Sequence, residues 1–270
     1  MIPVSFGTQT TGLVIRPAAY CNTVGYKPTY GDINYNGIMP NTPTIDTLGM
    51  MVRSVEDLAL MRSVLLEEAF APLSPPAISD LRIGFYRSPF WDQADDDMQA
   101  QMESVAGKFS KLGASVTDVE LPGIDASFEN LHGLISSFEF SRTLSWERLN
   151  RYDQLSPVLS QGRMKDGMET TYEDYRVGTV RLERLGLETD DMLDNYDVLI
   201  TPTATGEAPE GIGWTGNVLF NSMWTALGTP AVTLPIFNGP TGLPMGLQLV
   251  TGRFKDRRLF NIAEALMNVH

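Results

Sequence analysis

Residues Phe6–Thr29 read FGTQTTGLVIRPAAYCNTVGYKPT. Thr10, Thr11 and Gly12 can turn successive backbone N–H groups toward one point, forming a nest for an anion or a developing oxyanion. Gly12 permits close approach of a substrate carbonyl. Arg16 is expected to brace the loop by pairing with a buried carboxylate such as Asp46. A nest of this kind usually serves a polar atom at its centre, yet the next residue is Leu13, an isobutyl group. On these residues alone an ordinary Gly/Thr turn explains as much as an oxyanion site.

Working outward, VIRPAAY and TVGYKPTYG read as strand and turn pieces. RSVEDLALMRSVLLEEA reads as a helix, with Ser54 and Asp57 at capping-box spacing. After the break SPPAISD comes LRIGFYR, a strand of buried type. DDDMQAQMESVAGKFSKLG follows as a helix with acids in its first turn and Gly113 just past its end. ASVTDVEL closes what reads as a βαβ unit. Residues 125–195 are mainly helical in pattern and are expected to form a lobe. YDVLITPTA, PAVTLPIF and MGLQLVTG read as strands, GNVLFNSMWTALG as a short helix closed by Gly228, and KDRRLFNIAEALMNV as the last helix. The expected fold class is α/β, one domain over 1–270 with a mixed central sheet and helices on both faces.

Composition narrows the function. The chain has 270 residues, 43% hydrophobic, with a net charge of −13. That charge argues against nucleic acid, which needs clustered Lys and Arg. No apolar run approaches the roughly 20 residues of a membrane-spanning helix, and no secretory leader is read at the start. A lone cysteine, Cys21, fits a reducing compartment, so a cytoplasmic location is expected. It reads as a small buried filler. Two histidines far apart, His132 and His270, and no Cys/His cluster give no metal site and no cofactor.

The order of these pieces resembles the amidase signature family. The carrying motifs are TTGLVIRPAAYC, GYKPTYG, IDTLGMMVRSVED, YDVLITPTATGEAP, FNSMWTALGTPAVTLPI and GLPMGLQLV. They run through nearly the whole chain. The resemblance implies hydrolysis of amides or esters by a Ser–cis-Ser–Lys triad, in which lysine is the base and the last serine attacks. It implies oxyanion donors at Thr10, Thr11 and Gly12, with the nucleophile at position 13. That position is Leu13, which has no proton to transfer. The lysine and middle serine of the family precede this segment, and MIPVSF holds one serine and no lysine. The family's glycine after the cysteine is Asn22 here. The expectation is therefore a truncated amidase-signature fold, lacking the family's N-terminal part and its triad. Without a nucleophile, activity should fall on the order of 10⁶-fold.

Other residues offer weaker chemistry. His132, Ser136 and Glu139 fall at helical spacing and can be drawn as a Ser-His-acid set, though neighbours on one helix rarely take triad geometry. Lys27 reads as structural. Phe138, Phe220, Met223 and Trp224 are expected to line an acyl pocket, with Trp146 as a further wall. A small acyl or amide ligand is the expected partner. The face left open by truncation is expected to be covered by a second copy or a partner chain. The alternative is an active amide or ester hydrolase using a nucleophile foreign to the family, or one completed by a partner chain.

Overall fold

A computed structural model describes residues 2–269; Met1 and His270 lie outside the described residues. The strands alternate their side chains between two apolar layers, and this sets the architecture. In β6 (Val198–Pro202), Val198 and Ile200 enter one core while Leu199, between them, enters the other. Both faces must therefore be covered.

The sheet has eight strands in the order β1-β3-β2-β7-β8-β6-β4-β5. These are β1 (Ser5–Gln9), β2 (Val24–Lys27), β3 (Thr47–Val52), β4 (Arg82–Phe85), β5 (Ser115–Asp118), β7 (Ala231–Asn238) and β8 (Pro244–Val250), with β6. β4 runs parallel to β5, Arg82 level with Ser115, and parallel to β6. The other pairings are antiparallel. The strand–helix–strand unit read from residues 81–121 is present, its crossover being α3 (Asp96–Lys111).

One face is covered by α2 (Val55–Leu65), α3 and α10 (Asp256–Met267). They bury Leu58, Met98, Met102, Phe109, Leu259 and Phe260 against the strands. The other carries α4 (Phe128–Thr143), α8 (Tyr172–Leu193) and the short α9 (Ser222–Ala226), with Ile135, Leu185, Met223 and Trp224 buried. Between α4 and α8 stand α5 (Ser145–Asn150), α6 (Pro157–Ser160) and α7 (Arg163–Glu169) around a small core of Phe140, Leu144 and Met164.

Caps and turn glycines take the places their chemistry dictates. Ser54 Oγ accepts the Asp57 N–H at 3.2 Å and caps α2. Gly113 and Gly228 have positive φ just beyond their helices, where a side chain would be strained. VIRPAAY is a correction. It forms α1 (Ile15–Tyr20), not a strand. Pro17 falls in the first helical turn, where its missing N–H costs nothing, whereas in a sheet it would remove a ladder donor.

Candidate functional site

β1 ends at Gln9, and the chain turns through 10–14 into α1. Gln9 holds this corner with both ends of its amide. Its Oε1 accepts Val14 N–H at 2.8 Å and Ile15 N–H at 3.0 Å, while its Nε2 donates to Thr225 Oγ1 at 2.9 Å. Thr225, on α9, donates to the Thr11 carbonyl at 2.7 Å. Thr10 Oγ1 donates to Asp46 Oδ1 at 2.5 Å, and Asp46 Oδ2 accepts the N–H groups of Asn41 and Thr42. The Thr10 carbonyl meets His132 Nε2 at 3.0 Å. A carbonyl only accepts, so Nε2 carries the proton. Burial holds the His132 pKa below its ordinary value.

The loop is thus tied down through its carbonyls and side chains. Its N–H groups are treated differently. Among the described residues, none accepts from the N–H of Thr11, Gly12 or Leu13. Gly12 is required by packing, because a Cβ there would lie 2.5 Å from Asn221 Oδ1. Asn221 is itself fixed, donating to Thr203 O and Gln248 Oε1. The Leu13 side chain is 46% exposed.

Several expected placements change. Arg16 does not brace Asp46. Its guanidinium reaches the Gly216 carbonyl at 2.6 Å and Thr215 Oγ1 at 3.1 Å, because α1 turns it toward the 214–217 segment. Asp46 takes its three donors from Thr10 and its own loop. His132, Ser136 and Glu139 do not assemble into a triad. Ser136 Oγ donates back to Gly133 O, and Glu139 accepts Thr44 N–H, Thr44 Oγ1 and Tyr175 Oη. Cys21 is exposed, not a buried filler, since it follows the last turn of α1 at the surface.

The four pocket candidates do not form one wall. Phe220 packs in the core of the α2–α3–α10 face, and Met223 and Trp224 in the opposite one. Phe138 is sandwiched between Tyr175, stacked at 4.1 Å, and the Arg142 guanidinium at 3.5 Å. Trp146 faces solvent on α5. A cleft of about 320 Å³ opens beside Asp46, lined by Tyr30, Ile33, Tyr35, Pro43 and Leu48 and touching the loop through Asp46 alone.

Lys27 is fully buried, its Nζ donating to Pro28 O at 2.9 Å. Burial lowers its pKa to about 7, against a partial opposing pull from Asp256. Asp256 in turn accepts Tyr26 Oη, Thr29 N–H and Thr29 Oγ1 at 2.6–2.9 Å. One pairing was not anticipated from sequence. Ser222 Oγ, at the start of α9, donates to Glu129 Oε1 on α4. The available signal was Glu129 lying one helical turn before His132, hence on the same face.

Fold and loop together define an α/β protein of the amidase-signature architecture. A solved amidase superposes with a TM-score of 0.88 at 23% identity, over 98% of this chain and 62% of its own. The chain belongs to the Amidase family, whose profile matches residues 1–260. Its relatives include 2-amino-5-chloromuconic acid deaminase of Comamonas testosteroni, 28% identical over 96% of this chain and 59% of the relative. A mitochondrial glutamyl-tRNA(Gln) amidotransferase subunit from Ornithorhynchus anatinus is also 28% identical, over 97% and 58%. A chain from a vestigial protein complex, tied to the origins of an s-triazine catabolic enzyme, superposes with a TM-score of 0.82 at 25% identity. That match spans 99% of this chain and 63% of the other. The chain thus spans about three fifths of the length of the curated relatives it matches. Subunits of larger assemblies are among those relatives. Among the described residues no helix is long and apolar enough to cross a membrane.

Proposed function

We propose that this amidase relative binds a small acyl or amide compound at the 10–13 loop without hydrolysing it by the family's triad. The observation that carries the reading is that, among the described residues, no acceptor takes the N–H of Thr11 or Gly12, two of the three expected nest donors, nor that of Leu13, whose side chain offers carbon where the family's attack needs oxygen. A carbonyl oxygen seated there would take those donors. The cleft beside Asp46 gives room for the apolar part of such a ligand.

Turnover of amides and p-nitrophenyl esters by this chain tests the proposal. The expected result is a rate near background, and a kcat above about 1 s⁻¹ overturns it. A second reading is favoured by one contact only. Ser222 donates to the Glu129 carboxylate one helical turn from Thr225, the residue that binds Thr11. Under that reading Ser222 replaces the family nucleophile. Fluorophosphonate would then label Ser222, and Ser222→Ala would remove both label and turnover. An unlabelled chain removes this reading.

A further inference from the structure

α8 buries Gly178, Leu182, Leu185, Gly186, Thr189 and Leu193 against the body of the protein. Its opposite side carries Val177, Val180 and Leu187, exposed by 60%, 55% and 56%. These three fall on the a and d lines of a heptad, with Glu173 and Arg184 continuing the same lines. A solvent-facing helix stripe is ordinarily polar, so a row of aliphatic side chains at coiled-coil spacing marks a contact surface.

We propose that this face of α8 is a dimer contact, and that its occupant is α8 of a second copy, lying antiparallel. The charge pattern around the stripe selects this partner. Place a twofold axis level with residues 178 and 179. Val177 of one copy then meets Val180 of the other, twice, and Leu187 lies just beyond the overlap of the two helices. In an antiparallel helix pair the flanking g positions face each other, and so do the e positions. Arg176 therefore falls opposite Glu183, and Asp174 opposite Arg181. On the core lines Glu173 falls opposite Arg184. Every flanking charge within the overlap meets its opposite, and each pair occurs twice because the contact is isologous. No ion pair within the chain uses Arg176, Arg181, Glu183 or Glu173 among the described residues; Arg184 pairs with Glu188 on its own helix at 3.6 Å, and the contact would exchange or share that exposed pair. Shifting one helix by a heptad against the other would set Glu183 against Glu183 and Arg181 against Arg181, so the charges also fix the register.

The contact is independent of the ligand proposal, so turnover or its absence has no bearing on it. Sedimentation velocity on the full chain, between about 1 and 200 µM, tests it. The expected species is a dimer. Val180→Glu and Glu183→Arg should each raise the dimer Kd by about tenfold or more. Adding Arg176→Glu to Glu183→Arg should restore it. All three sites are exposed on one helix, and circular dichroism confirms that the variants remain folded. A monomer at every concentration overturns the proposal. So does a dimer indifferent to Val180→Glu, which would use another face, or a charge reversal that is not rescued.

Discussion

Two polar junctions flank the first strands of the sheet, and they are finished differently. At Asp256 three donors, Tyr26 Oη, Thr29 N–H and Thr29 Oγ1, converge on one buried carboxylate. At the 10–13 loop, Gln9, Asp46, His132 and Thr225 tie the chain down, while among the described residues the N–H groups of Thr11, Gly12 and Leu13 find no acceptor. Both junctions use Thr and Asp. The closed one is occupied by its own chain and is architecture. The open one keeps main-chain N–H groups on a loop that four long-range bonds hold, as preorganisation of the proposed ligand site would require.

The contrast can be broken from the closed side first. Asp256→Ala leaves Tyr26 and Thr29 buried without an acceptor, and is expected to cost about 3–5 kcal/mol in urea unfolding. On the open side, Gly12→Ala drives a methyl group into Asn221 and should cost about 1–3 kcal/mol. Ligand affinity should fall with it, and a neutral outcome would mean the loop is not held against Asn221.

Lys27 gives a pH test of the closed junction. Its folded pKa lies below its unfolded one, so the unfolded chain binds the extra proton between about pH 7 and 10.5. Stability contributed by this group is therefore full above that window and falls as pH drops through it. The slope is at most about 1.4 kcal/mol per pH unit, and Lys27→Met should remove it. The smallest effect is expected from Thr10→Val, about 1 kcal/mol for the lost bond to Asp46.

What was legible in the sequence was what local chemistry dictates. The buried-type run LRIGFYR, alternation in ASVTDVEL, acids at 95–97 and Gly113 sufficed for the parallel unit, and Ser54 for the start of α2. The ordered motifs sufficed for the family. VIRPAAY is six residues of helix, too short for its period to show, and Pro17 reads equally as a strand breaker or a first-turn residue. The Arg16 partner was out of reach because the segment that receives it lies 199–200 residues away. Glu129 and Ser222 are separated by 93 positions and meet only because α4 and α9 pack on the same face. The four aromatic and Met candidates were each correctly apolar, but sequence does not say which side of a sheet a connecting segment delivers them to.

The corner residue Gln9 carries one last implication. Its oxygen serves two main-chain donors and its nitrogen serves a hydroxyl, so the two ends cannot be exchanged. Hydrolytic ageing of that amide to glutamate would swap a donor for a second acceptor. Thr225 would then turn its proton to the new carboxylate and release the Thr11 carbonyl. A single deamidation, changing neither shape nor size, would slacken the bend on which the open donors depend.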